Sequence, residues 1–274
     1  MEEIIKAIIL GIVQGLTEFL PISSTAHLRI VPAFFGWNDP GAAYSAVIQI
    51  GTMLAVIIYF LKDLLRIYSK VVINLFEKKF ITDLDTKLGW YIIIGTIPII
   101  IFGLLLEDLI ANEFRSIYLI SFTLIFFAIV LAIAEKISKK SLDINHLSLS
   151  KALIVGIAQA FALIPGASRS GVTITGGLFV GFNRETAARF SFMLSVPAVL
   201  LSGVYEFYKI FPQLTQQGAL SLIFATVFSF ISGILAIEFL LRYLRTHSTY
   251  IFIWYRILLG ILLLVLININ FIKP

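Results

Sequence analysis

Cysteine is absent from this 274-residue chain, and charge is scarce: Asp, Glu, Lys and Arg together make up 14% of it. The first absence excludes disulfide staples and thiolate metal sites and leaves the redox compartment open. The second is set against 59% hydrophobic residues and a mean hydropathy of +0.99. It excludes a water-soluble fold, which would have to expose large apolar patches. A cleavable leader is not expected either. Glu2 and Glu3 precede Lys6, Glu18 interrupts the first apolar run, and no small-x-small cleavage site follows. Nor does the net charge of +5 gather into a compact basic, aromatic-interleaved surface, so nucleic acid is not an expected partner.

What is present is a set of apolar runs long enough to cross about 30 Å of hydrocarbon. They lie near 43–61, 90–106, 117–134, 190–208, 219–241 and 250–269. Two further apolar stretches, near 4–36 and 152–182, are broken at their centres by Pro and Gly. Each reads as a re-entrant helical hairpin, because irregular backbone at depth is tolerated only where protein or a wet cavity covers it. The expected fold is therefore an all-α integral membrane protein with six transmembrane helices and two re-entrant hairpins. The segment 63–89 is charged and reads as a solvated amphipathic connection.

Lys and Arg in the connections orient the chain. Placing Lys62 to Lys87, Lys136 to Lys151, Arg184, Arg189, Arg242 and Arg245 inside puts fourteen of the 21 basic residues in the cytoplasm. Lys6, Arg29, Arg115, Lys209 and Lys273 then fall outside, as do both termini. Each half holds one hairpin and three spans, an odd number of crossings, so the halves are expected to be inverted relative to one another. The repeats run over about 1–140 and about 150–274 of a single polytopic domain, 1–274. The runs Val47 to Arg66 and Phe190 to Lys209 extend the likeness, and Trp37, Trp90 and Trp254 fit interfacial belts. Glu238 and Arg256, charges within late spans, read as partners of one another.

The two broken stretches are imperfect copies: Gly11-Ile-Val-Gln14 to His27, and Gly156-Ile-Ala-Gln159 to Thr173. Polar breaks at matching places in two halves point to a site at mid-depth. Gln14 and Glu18, four apart, share a helix face and offer a carbonyl and a carboxylate to Mg²⁺ or Ca²⁺, with phosphate oxygens completing the shell. After Pro21 come Ser23, Ser24 and Thr25, and then His27, which stands alone as a histidine within an apolar segment. A hydroxyl beside a base can attack phosphorus. In the second copy, Pro165-Gly166-Ala-Ser168-Arg169-Ser170-Gly171 sets a turn and an arginine before a renewed helix, an arrangement suited to an anion. Leu163 stands where a second Glu18 would be, so the halves are specialised. Glu18 is the expected counter-charge of Arg169. Phosphatases built on paired histidines are disfavoured, because no second histidine follows Ser168-Arg169-Ser170 as they require.

At these residues the chain resembles the undecaprenyl-diphosphatase family of bacitracin-resistance membrane proteins. Gln14-Gly-Leu-Thr-Glu18, Pro21-Ile-Ser-Ser-Thr-Ala-His27 and Pro165-Gly-Ala-Ser-Arg-Ser170 with Thr173 match its three motifs, in order, over nearly the whole chain. The resemblance implies a plasma-membrane hydrolase that converts undecaprenyl diphosphate to the monophosphate and inorganic phosphate. It implies a divalent cation and a site open to the outer face. Glu18 and Gln14 would hold the metal, His27 would serve acid–base chemistry and Ser24 is the candidate nucleophile, with water activated by the metal as its competitor. Thr25, Ser168, Arg169, Ser170 and Thr173 would bind phosphate. Gln14 replaces the family's alternative Glu and removes one negative charge. A polyprenyl-phosphate flippase or secondary transporter, which binds headgroups without cleaving them, is the rival reading. The sequence leaves prenyl length and the homodimer open.

Overall fold

A computed structural model describes residues 2–106, 109 and 116–272. The expectations for Arg115 and Lys273 lie outside the described residues. Eleven α-helices and no strand occur among the described residues. In chain order they are α1 (Glu2–Phe19), α2 (Ser24–Phe35), α3 (Gly41–Tyr59), α4 (Leu61–Phe76), α5 (Leu84–Leu105) and α6 (Ile117–Ile137), then α7 (Leu149–Ala160), α8 (Arg169–Phe179), α9 (Arg184–Ile210), α10 (Gln216–Thr246) and α11 (Tyr250–Asn268). Six of these, α3, α5, α6, α9, α10 and α11, are long and apolar enough to span a membrane. The chain is a multi-pass membrane protein. Its outer wall carries large apolar side chains in the open, such as Phe122, Phe126, Leu235 and Leu258, a surface that lipid solvates.

The spans match the apolar runs of the sequence, with two earlier origins: α9 begins at Arg184 rather than near 190, capped by Asn183, and α5 begins at Leu84 rather than near 90, because Asp83 caps it by accepting from Thr86 N. Asp83 also accepts from Lys70, and that bond holds its carboxyl well below the usual carboxylate range. The expected connection 63–89 is thus mostly the amphipathic helix α4, whose Leu64, Ile67 and Val71 are buried and which packs against α5.

Each broken stretch is a helix, an elbow and a second helix that packs back on the first: α1 with α2, α7 with α8. Pro21 and Pro165 stand in the elbows, where their missing N–H breaks no ladder. The new helix starts on a serine in both, Ser23 (φ 76°, ψ 97°) and Ser168 (φ 69°, ψ 109°), whose hydroxyls accept from Ala26 N and Gly171 N. Such a backbone is strained for a residue with a Cβ and persists only where the surroundings enforce it.

Helices of one half pack on helices of the other. α1 lies on α10 and α7 on α5, while α3 meets α9 and α6 meets α11. Glycines permit the first two contacts: a Cβ on Gly11 would stand 2.3 Å from Ala225 O, and one on Gly156 would stand 2.3 Å from Gly95 O. Small residues at such crossings let backbones approach where lipid gives no hydrophobic drive to association.

Candidate phosphate site between the elbows

The end of α1 places Gln14 and Glu18 one turn apart, and the elbow returns Ser24 toward them. Glu18 is buried, 5% exposed, and its two oxygens are shared out. Oε1 accepts from Arg169 Nη2 at 2.7 Å. Oε2 accepts from Gln14 Nε2 at 2.8 Å and from Ser24 Oγ at 2.5 Å. Glu18 and Arg169, 151 positions apart in the chain, therefore meet as expected. A hydroxyl donating to a buried carboxylate is held in the orientation from which it can lose its proton.

The elbows are stitched together. Ser170 Oγ donates to Leu20 O at 3.0 Å, and Thr123 Oγ1 on α6 donates to Pro165 O at 2.6 Å. Arg256, on α11, is fully buried; its Nη2 donates to Gly166 O at 2.9 Å and to Ala167 O at 3.0 Å. Its Nη1 faces the first turn of α8, 2.9 Å from where a Cβ on Gly171 would stand.

Glu238 and Arg256, expected as partners, do not pair. Glu238 bonds to Arg242 and to Tyr59, and Arg256 turns inward instead. A charge inside a span is a site candidate by default. That signal was present in the sequence, but Glu238 offered a competing partner.

Around the second elbow, four guanidinium nitrogens among the described residues are buried without a hydrogen-bond partner: Nε and Nη1 of Arg169, and Nε and Nη1 of Arg256. Arginine has only donors and keeps its charge, and a buried donor left unmatched is costly. Among the described residues Glu18 is the carboxylate bonded to Arg169 and none is bonded to Arg256, so the two arginines leave a surplus positive charge. That surplus suits an anion with several acceptor oxygens. Helices α2 and α8 add their starts, where early N–H groups lack intrahelical partners.

The same corner holds oxygen donors for a metal. Gln14 Oε1 is buried and unmatched, next to the Glu18 carboxylate and the Ser24 hydroxyl. An all-oxygen set with one carboxylate suits a hard divalent ion that draws its remaining ligands from phosphate. No group of three or more His, Cys, Asp or Glu occurs among the described residues, so these residues fit a shared cation and not an all-protein cage.

Other expected site residues lie differently. Thr173 is fully buried and bonds to Ser191 Oγ and to Arg169 O. The Ser168 hydroxyl caps α8, and that of Ser170 reaches the opposite elbow. Their hydroxyls hold the elbow in shape, and the free donors there belong to Arg169. Thr25 sits half-buried in the first turn of α2. His27 shares a face with Ser24, three residues on, yet both its ring nitrogens are engaged: Nδ1 with Ser23 O at 2.7 Å and Nε2 with Tyr255 Oη at 2.6 Å. Tyr255 carried no signal in the sequence, since an aromatic in an apolar span reads as lipid-facing. Gln159, the counterpart of Gln14, is buried with both polar atoms unmatched.

The profile of the bacitracin resistance protein BacA family matches residues 7–262. The chain belongs to that family. Among its relatives, an undecaprenyl-diphosphatase of Chloroherpeton thalassium is 54% identical, with 97% of each chain covered. One of Chlorobaculum parvum is 52% identical over 98% of this chain and 99% of its own. One of Myxococcus xanthus is 49% identical over 99% of this chain and 91% of its own. In this BacA family member, then, the paired elbows of the sequence are the place where Glu18, Ser24 and Arg169 converge.

Proposed function

We propose that this membrane protein is an undecaprenyl-diphosphate phosphatase, which hydrolyses its lipid to undecaprenyl phosphate and inorganic phosphate, recycling the cell-wall lipid carrier and conferring bacitracin resistance. The observation that carries this is the Ser24 hydroxyl held on the Glu18 carboxylate beside an arginine with free donors. The BacA family membership and the undecaprenyl-diphosphatase names of its relatives point the same way.

The terminal phosphate enters between the elbows, and the free Nε and Nη1 of Arg169 and of Arg256 take its non-bridging oxygens. Ser24 Oγ attacks the terminal phosphorus and gives its proton to Glu18 Oε2. The bridging P–O bond breaks, and its electrons leave with the undecaprenyl phosphate. Water then attacks the phosphoserine, its proton passes to the histidine side of the site, and phosphate departs while Ser24 re-forms. His27, one turn along α2 from Ser24, is the base for this second step. Glu18, Gln14 Oε1 and Ser24 would hold a Mg²⁺ or Ca²⁺ ion, which neutralises diphosphate charge when bound. The two elbows are read as re-entrant, the halves as inverted repeats, and the site as open to the outer face of the plasma membrane.

A headgroup carrier needs binding groups but has no use for a hydroxyl poised on a carboxylate, which favours hydrolysis over the flippase reading. Purified protein in detergent is expected to release phosphate from a long-chain polyprenyl diphosphate only when Mg²⁺ or Ca²⁺ is added, and Arg169→Ala to abolish release. Headgroup transfer across liposomes with no phosphate released would establish the carrier instead.

A further inference from the structure

α11 brings two neighbouring residues to two different elbows. Arg256 turns to the backbone of the second, and Tyr255 reaches His27 in the first, 228 positions away in sequence. The phenol and imidazole ring planes lie nearly parallel, 10° apart with centroids 5.7 Å from one another, and the hydroxyl meets the ring nitrogen at 2.6 Å.

Hydrogen-bond chemistry fixes the protons of this contact. The Ser23 carbonyl only accepts, so Nδ1 of His27 carries hydrogen and donates to it at 2.7 Å. In the neutral ring Nε2 is then the one lone pair, and it can only accept, so Tyr255 O–H donates to it at 2.6 Å. The strained backbone of Ser23 (φ 76°) aims that carbonyl, and the tautomer is locked. Tyr255 is 42% exposed, and a phenol oxygen that donates one hydrogen bond keeps the capacity to accept another.

We propose that Tyr255 is a proton relay: a proton that His27 takes up arrives by way of the Tyr255 hydroxyl. The inference rests on the hydrolytic reading above and names a residue that reading does not require. In the second step the attacking water gives its proton to Tyr255 Oη as the phenol hydrogen moves to His27 Nε2. The water oxygen forms the new P–O bond, the Ser24–phosphorus bond breaks, and Ser24 Oγ recovers a proton from Glu18. Charges and protons balance without a co-reactant. His27 returns its proton along the same path when phosphate leaves. A phenol hydroxyl suits this, because it donates and accepts at once.

The test combines spectroscopy of the resting protein with turnover kinetics. In ¹⁵N-histidine NMR, Tyr255→Phe is expected to move the Nε2 resonance of His27 while the Nδ1–H signal persists. An unmoved resonance would mean that the hydrogen bond is absent and would overturn the proposal. On polyprenyl diphosphate with Mg²⁺, Tyr255→Phe is expected to lower kcat by about 10- to 100-fold with KM nearly unchanged. Replacing Tyr255 by fluorinated tyrosines should make kcat follow the acidity of the phenol. In a His27→Ala background Tyr255→Phe should cost nothing more. A Phe variant as fast as the parent, a kcat flat across the fluorotyrosines, or multiplicative losses in the double variant would each refute the relay. A parent protein that releases no phosphate would defeat the hydrolytic reading, whereas the NMR result reports on the Tyr255–His27 contact by itself.

Discussion

Glu18 and Arg169 carry opposite charges in a place with little water, their side chains 4% and 10% exposed. Breaking such a pair from one side strands the other charge, which costs about 3 kcal/mol or more, whereas removing both members is often close to neutral. Glu18→Gln and Arg169→Met are therefore each expected to lower thermal stability in detergent, and the double variant to recover most of the loss. Phosphate release should be absent from all three. A double variant no more stable than the singles would show that the pair is not the main electrostatic tie between the elbows. The pairing itself was legible in the sequence, because a carboxylate and a guanidinium inside broken apolar segments each demand a partner. Arg256 was not, since its distribution of donors onto Gly166 O and Ala167 O depends on backbone shape that no residue pattern encodes.

Among elements, the helix crossings are set by what they lack. α1 on α10 and α7 on α5 meet at Gly11 and Gly156, where a methyl group would stand 2.3 Å from a backbone oxygen. Gly11→Ala and Gly156→Ala are each expected to destabilise by about 1–3 kcal/mol through overpacking. Gly103→Ala, in α5, meets only Leu163 Cδ2 at 3.8 Å. It should raise the melting temperature, because a helix-interior alanine costs less backbone entropy than glycine. Melting curves of the three variants would check the ordering. Six spans and two broken stretches were readable from apolar run length and from Pro and Gly placement. The start of α5 was not read from the apolar run, because the run begins only after the charged first turn that Asp83 caps through Thr86 N. The serine caps Ser23 and Ser168 were likewise hidden, since an L-residue at positive φ is held there by packing and not by its own preference.

Across the whole molecule, the charged connections predict an orientation that the absence of cysteine makes easy to test. A single cysteine at Asn38, between α2 and α3, is expected to react with a membrane-impermeant maleimide on intact cells. One at Lys79, between α4 and α5, should react only after the membrane is opened. The reverse pattern would invert the topology. That the halves interlock, α1 with α10 and α7 with α5, was not legible, because the repeat reveals likeness between segments and says nothing of which copy packs on which.

The bond from Arg169 to Glu18 also places a clock on biosynthesis. While a ribosome is still making α6, the nascent chain already holds Gln14, Glu18, Ser24 and His27, yet the guanidinium that neutralises the carboxylate, and the α10 surface on which α1 rests, have not been translated. The first hairpin is therefore made before the guanidinium that pairs with its acid. The set is complete only once the last helix, with Tyr255 and Arg256, has been translated.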